Sequence, residues 1–584
     1  MDSPATPGSP EPSTTSPTTV TSPRSRRQRR QEGSDESTDS KIDSKTPLRQ
    51  GFPGPLLRLP LFNGIVAENT SESIDWPRCL NTIHSVLRKY LVHDYSVSLV
   101  NRIPPERLPP VFDVVSPNQN LTCLIITQRD VDTNSWYLAL KELEELYNVG
   151  SIGGFTIELI DPEMFQPEWP QPVGEDEAVI AFWPEIRTET MIALDKFDWY
   201  TLSLVRWGRR LNALENPITI LIGAPAVIDE TRDSVTNTIR KTLDRFFLDD
   251  IEIAVIPATH PFSPLDQPTD LILPTSAFQS SIAMGSCFGP RDVDTSATMG
   301  GTIRLHDSDG NHQDAMMSVF HCFRTIVGNE IESQGLRPTP NSQFQTMIPS
   351  DPDRQNKLQN LEEDIKRYSG KIEGLQQNLD WTGDSRYQKQ IDAITNIMKT
   401  CQEEKDTIEQ FDSTAGSLWA CSGFQTEHLY EWSLSLATNR TSPNTLPPLG
   451  HSELSGPMDR ELYLPIDDEV KSYLSQNPKT GSIVWKKGRT TGITVGKMNN
   501  VRTNIVLKDN QNRKHVFTGW EITPTKANVP FVQPGDSGAW VVDLEGNWCG
   551  VVFAQLASGS GVMYDAKSVV KDVERMTGCK VELP

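Results

Sequence analysis

Beyond about residue 75 the chain carries two hydrophobic rhythms. Apolar runs at 121–126 and 155–160 bracket a stretch in which Leu140, Leu143 and Tyr147 recur at helical spacing. Runs at 218–222 and 251–256 bracket Val235, Ile239, Leu243 and Phe246 in the same way. Each set predicts a strand, an amphipathic helix and a strand. The strand offsets are similar, 36 residues from Leu121 to Ile157 and 33 from Ile218 to Ile251. Two such β-α-β units over 75–275 fit an α/β or ferredoxin-like domain, either by duplication or because any two such units look alike in sequence. No Gly-rich phosphate loop follows either first strand, which argues against a nucleotide site.

After about residue 280 the rhythm shortens. Short β-type runs appear at 297–304 and 316–321, separated by Asp307-Ser-Asp-Gly310, a hairpin-turn signal. A β-barrel domain is expected to begin near residue 283. Strand-like runs return from Ser417 and continue to about Met563. The chain then switches to helical spacing, with Val569, Val573 and Met576 ahead of a Thr577-Gly578 stop. Between the two groups of strands, Leu361, Ile365, Tyr368, Ile372, Leu375 and Leu379 alternate steps of four and three. After Asp380-Trp-Thr-Gly-Asp384 the seam resumes with Tyr387, Ile391, Ile394, Met398, Cys401 and Ile408. An antiparallel helical hairpin over 352–412 is therefore predicted to interrupt the barrel domain.

The first 55 residues follow neither rhythm. Rich in Ser, Thr and Pro, they cannot bury enough surface to offset their conformational entropy, which predicts a disordered tail. Its Arg24-Ser-Arg-Arg-Gln-Arg-Arg30 cluster reads either as a nuclear import signal or as a solvated basic stretch whose flanking Ser and Thr are open to phosphorylation. The net charge of -22 argues against nucleic acid as the main partner, since phosphate backbones demand clustered Lys and Arg. With no run of 18 apolar residues and no apolar leader, no membrane span is expected, and the protein is read as intracellular, cytoplasmic with the nucleus as the alternative. The eight cysteines are scattered, without Cys-x-x-Cys or zinc-type Cys/His spacing. Reduced thiols, no metal and no cofactor are expected.

Candidate chemistry lies near the C-terminus, in Gln533-Pro-Gly-Asp-Ser-Gly-Ala-Trp540. A serine between glycines at a tight turn lets the N–H groups of Gly535 and Ser537 converge on one point, where a carbonyl oxygen can become an oxyanion. Gly-Asp-Ser-Gly arises by chance in roughly one chain per hundred of this length, so supporting residues are needed. A serine hydroxyl requires a base, and the base requires a third group to fix its tautomer. His321 ends the apolar strand Met317-Ser-Val-Phe-His, downstream of Met299-Gly-Gly-Thr-Ile303. Of the other histidines, His84, His93 and His260 precede the barrel, His306 and His312 flank the hairpin turn, and His428, His451 and His515 lack the Gly-Gly hairpin.

These elements, in the order His then Ser, resemble the chymotrypsin/trypsin-like serine proteases, closest to a group of intracellular fungal members that includes the amino-acid-sensing endoprotease. The family's third element reads Asp-Trp-Ala-Leu, then an Arg and Asn-x-Leu-Pro. It is matched by Glu431-Trp-Ser-Leu, Arg440 and Asn444-Thr-Leu-Pro447, with Glu at the position of the acid and Asp412 and Asp459 in reserve. The stretch 484–496, with Gly488-Arg-Thr-Thr-Gly492, resembles the strand-turn-strand that opens the second barrel. The resemblance covers 283–578 apart from the helical insertion.

What the resemblance implies is a multidomain protein: a chymotrypsin-like double β-barrel with a helical-hairpin insertion, preceded by the α/β region and the tail. It implies a triad of His321, Glu431 and Ser537, and an oxyanion hole formed by Gly535 and Ser537. The specificity pocket would have Phe531 at its base and Phe553, Ala554 and Gln555 along its wall. Without a charge there, a neutral or apolar P1 residue in a protein or peptide substrate is expected. The region before 283 would be a prodomain, with self-processing. The alternative is a non-catalytic descendant, an interaction protein docking regulatory partners through the barrel, the α/β region and the hairpin. Glu431 and the absence of the usual small-residue and Thr context around the histidine motivate it.

Overall fold

The structure, a computed structural model, describes residues 41–46, 48–57, 61–64, 74–90, 92–103, 120–129, 134–225, 229–259, 273–339, 342–424, 430–437, 440, 444–445, 470, 472–473, 479–509, 511 and 513–584. The basic cluster at 24–30, His260, His428, His451 and Asp459 lie outside the described residues.

Leu121–Ile126 and Thr156–Ile160 are parallel neighbours bridged by the helix Ser135–Asn148. Their sheet has six strands, in the order Asp43–Thr46, Arg49–Phe52, Thr156–Ile160, Leu121–Ile126, Ser96–Ile103, Phe62–Gly64. The expected tail is therefore too long at its C-terminal end. Arg49–Phe52 pairs with 157–160, and Phe52 packs edge-on against Tyr147, so backbone pairing and one aromatic anchor supply what the composition lacks.

The second unit belongs to a different sheet. Ile218–Ala224 and Glu252–Pro257 are again parallel neighbours. Thr201–Gly208, however, pairs with Ile218–Ala224 on one side and, at Leu202 and Thr201, with Asn504 and Ile505 of a barrel strand on the other. Residues 75–275 thus divide between two sheets with separate cores, rather than forming one α/β domain. Nor is the arrangement ferredoxin-like, because the parallel strands of each unit are direct neighbours, not a pair split by another strand. Periodicity reports which positions are buried; it does not report which distant strand an edge pairs with.

Two antiparallel barrels follow. In the first, ladders run from Cys287–Pro290 through the bent stretch 297–306, His312–Val319, Trp432–Ala437, Thr414–Cys421 and Gln345–Met347, and return to Cys287–Pro290. In the second, Ile483–Gly488, Gly492–Lys508, Lys514–Pro524, Gly561–Asp565, Asn547–Gln555 and Trp540–Asp543 close on themselves. Closure of this kind leaves no unpaired edge. One apolar core spans both barrels, with Ile303, Phe320 and Trp432 from the first and Trp540, Trp548 and Phe553 from the second. The Gly300-Gly301 pair lies flat against Trp540, where a Cβ would come within 2.3–2.5 Å of the indole. The two glycines let the barrels meet.

Helices Asp351–Thr382 and Ser385–Gln410 stand side by side across Gly383, whose φ of 65° makes the turn. The first is about 48 Å long at 1.5 Å per residue. Its root is buried, with Leu361 and Ile408 packed against Leu273, Phe278 and Cys287. Further out the seam is half-buried except at the buried Ile391, and Trp381 at the tip is exposed. The last helix, Ala566–Thr577, is capped by Asp565 and stopped by Gly578. Its Asp572 accepts a hydrogen bond from Trp432 Nε1 at 2.7 Å, which ties the C-terminus to the first barrel. Among the described residues no helix is long and apolar enough to cross a membrane.

Candidate active site

Strand register brings the first two residues together. Val319 pairs with Trp432, and the next amide, that of Phe320, donates to Glu431 O at 3.1 Å. His321 then faces Glu431, with Nδ1 2.7 Å from Oε2. The carboxylate is fully buried while the imidazole is 21 % exposed, so one edge of the ring reaches the surface. The longer Glu side chain therefore spans the distance from this backbone position. Its second oxygen, Oε1, has no hydrogen-bond partner among the described residues. Burial, followed by the Glu431 charge, pushes the Cys322 thiol and the Tyr564 hydroxyl well above their ordinary pKa values, so both stay neutral beside it.

The frame residues have structural work. Asn444 bonds both Thr302 N and Thr302 O at 2.7 Å, strapping the strand that follows Gly300-Gly301. The Arg440 guanidinium donates to Gln279 O at 3.0 Å and Ile348 O at 3.2 Å. Asp412 is exposed and accepts from the Thr414 amide at 2.9 Å, a turn-capping role.

The Ser537 turn is built by its neighbours. Gly535 and Gly538 have φ of 94° and 96°, a region that L side chains rarely adopt. Between Gly535 and Ser537, Asp536 is fully buried and accepts from Lys486 Nζ at 2.8 Å, the Thr490 and Thr491 amides at 2.8 and 3.1 Å, Thr491 Oγ1 at 2.7 Å and the Gln533 amide at 3.0 Å. Burial opposes the Asp536 charge, but the Lys486 ammonium and these donors hold its pKa below the ordinary carboxylate value. From the first barrel, the Thr298 amide donates to Ser537 O and Thr298 Oγ1 to Gly535 O, each at 2.8 Å. The N–H groups of Gly535 and Ser537 donate to no acceptor among the described residues. Ser537 Oγ lies 3.4 Å from Phe553 O. An imidazole held at one nitrogen by a buried carboxylate can take a proton at the other, and converging amides can stabilise an oxyanion.

Of the pocket candidates, Phe531, Phe553 and Ala554 are fully buried and Gln555 is half-buried. Phe531 packs with Val484, Met498, Ile522 and Val532, and a Cβ on Gly561 would meet its ring at 2.9 Å. Phe553 stacks on Tyr564 with ring centroids 3.9 Å apart. These side chains belong to the barrel packing and bring no charge.

Lys486 was missed in the sequence, although a signal was present. It alternates with Val484 and Gly488 on the buried phase of Ile483–Gly488, where a charge requires a partner. Thr298 carried no such signal. Among the described residues no cluster of His, Cys, Asp and Glu is arranged to hold a metal ion.

No family model and no curated protein matches the chain. Solved structures similar to it include a glutamic acid-specific serine protease described as using a histidine triad in substrate binding, at 12% identity, with 52% of this chain and 100% of that chain covered and a TM-score of 0.26. Chymotrypsin from Cellulomonas bogoriensis is 11% identical, with 52% and 100% covered and a TM-score of 0.25. Thermobifida fusca protease A is 13% identical, with the same coverage and a TM-score of 0.25. The functional reading of this chain rests on its own geometry.

Proposed function

We propose that this chain is a serine endopeptidase in which Ser537 is the nucleophile, His321 the general base and then acid, and Glu431 the group that orients the imidazole. The observation that carries this reading is the 2.7 Å contact between His321 Nδ1 and a fully buried Glu431 carboxylate. A buried carboxylate is costly unless a charged or donor group compensates it, and the imidazole is its hydrogen-bond partner.

In this mechanism Nδ1–H points at Glu431, and Nε2 takes the Ser537 proton as Oγ attacks a peptide carbonyl. Charge develops on the carbonyl oxygen beside the amides of Gly535 and Ser537, each contributing about 3 kcal/mol to the transition state. The imidazolium then protonates the leaving amine, and water repeats both steps to release the acyl group. The absence of charge on Phe531, Phe553 and Ala554 favours a neutral or apolar P1 residue.

The same reading makes the region before 283 a prodomain severed from the barrels by self-cleavage, in a protease acting in the cytoplasm. The Asn500 side chain donates to Val173 O at 2.6 Å and Trp183 Nε1 to Arg502 O at 3.2 Å, so a cleaved fragment would remain attached. The hairpin and the N-terminal sheet offer surfaces for regulatory proteins. The second reading, a non-catalytic interaction protein, is favoured by Ser537 Oγ, whose hydroxyl donates to the backbone carbonyl of Phe553 at 3.4 Å. Labelling with a fluorophosphonate separates the two. Labelling of the native chain that disappears in Ser537→Ala supports the protease; equal labelling of both, or none of either, refutes it.

A further inference from the structure

The ion pair between Asp353 and Arg489 joins parts of the chain 136 residues apart. Asp353 lies in the first turn of the helix Asp351–Thr382, at the root of the hairpin, and its carboxylate is fully buried. Arg489 lies in the turn after Ile483–Gly488 in the second barrel, 5 % exposed, and meets both carboxylate oxygens through Nε and Nη2. Taking both charges out of water is expensive, and an insertion anchored only by apolar contacts would not require it. Ser350 Oγ and Cys287 Sγ also contact Asp353 Oδ2. Burial, and next the Asp353 charge, pushes that thiol up to about 12, so Cys287 is an uncharged member of the cluster.

The other end of the pair reaches the nucleophile turn. Arg489 Nη1 stands where a Cβ on Gly535 would come 2.3 Å from it. Nη1 also donates to Thr490 Oγ1 at 3.2 Å, Thr490 Oγ1 to Pro534 O at 2.6 Å, and the Thr490 amide to Asp536 Oδ1 at 2.8 Å. The Arg489 amide donates to Thr298 Oγ1 at 2.9 Å, which in turn donates to Gly535 O. The guanidinium is therefore the wall behind the turn that carries the Gly535 and Ser537 amides, and Asp353 fixes that wall. The hairpin root is stiff: Arg354 Nη2 donates to Ile408 O at 3.1 Å and Glu409 O at 2.9 Å, and Lys357 pairs with Glu404 at 2.8 Å.

We propose that the root of the helical hairpin is part of the apparatus that shapes the nucleophile turn, with Asp353 a positioning residue acting through Arg489. This rests on the protease reading for its catalytic consequence, while the mechanical coupling stands independently. A turn displaced by a fraction of an ångström would misplace the oxyanion donors, an effect on kcat rather than on substrate binding.

The test uses the full chain, with Asp353→Asn and, because a lone buried Arg489 can unfold the root, a double variant Asp353→Leu/Arg489→Met that keeps the site packed. Two experiments are read: kcat and KM on a peptide substrate, and amide hydrogen exchange across 488–492 and 533–538. The expected result is a kcat lower by about 100-fold with KM little changed, together with faster exchange at 533–538. Wild-type kcat and wild-type exchange in the folded double variant would overturn the proposal. If native protein takes no label at Ser537, the protease reading fails, and exchange at 533–538 alone decides: faster in the variants supports the coupling, unchanged refutes it.

Discussion

Replacing Lys486 by Met removes the ammonium from a pair in which both side chains are fully buried and 2.8 Å apart. Met has similar length, so the change isolates charge from packing. Breaking one side of a buried pair costs about 3–5 kcal/mol, because the remaining charge is left uncompensated. Asp536 keeps four other donors from Thr490, Thr491 and Gln533, which places the loss near the lower end, about 3 kcal/mol. For a cooperative unit of about 150–250 residues, such as the two barrels without the hairpin, that lowers the melting temperature by about 6–12 °C. The loss also carries a pH signature. The native pair holds the Asp536 pKa below its unfolded value, so its stabilisation is present above the ordinary carboxylate pKa and is lost as pH falls through the folded pKa. In Lys486→Met the pKa of Asp536 rises, so the gap to wild type is widest near neutrality and narrows on acidification. Calorimetric melting from pH 3 to 7 reads both. A variant that melts within about 1 °C of wild type at pH 7, or a gap independent of pH, would refute the role assigned to the pair.

Three other substitutions or treatments test separate parts of the site. Glu431→Gln keeps the shape but not the charge beside His321, and is expected to lower kcat about 10,000-fold with little change in KM, measured on a peptide substrate. Gly535→Ala forces a side chain into a φ of 94° and against Arg489 and Thr490; it is expected to destabilise the protein by about 1–3 kcal/mol in urea unfolding and to cut turnover by about 100-fold. All eight cysteines are free, and burial pushes the Cys287 and Cys421 thiols up to about 12. Iodoacetamide at pH 8 should therefore modify native protein at Cys401 alone, by peptide mass analysis, and adducts at Cys287 or Cys322 would contradict that packing.

The sequence by itself carried whatever depends on neighbours along the chain. A three-four seam makes 361–379 amphipathic in any context, and a turn that needs positive φ names Gly535 and Gly538. The short apolar runs of the barrels are equally local, as is the alternation that would have exposed Lys486 as a buried charge. Tertiary structure alone decided what depends on partners far along the chain. No local rule says that Thr201–Gly208 joins Asn504 and Ile505 instead of closing a separate domain. Whether a Glu with one extra methylene reaches His321 is set by the register of Val319 on Trp432, since a slip of one residue would turn the carboxylate to the other face of the sheet. The pairing of Asp353 with Arg489 is likewise invisible in a sequence full of exposed acids and bases, because a charge reveals its partner only after both have left water.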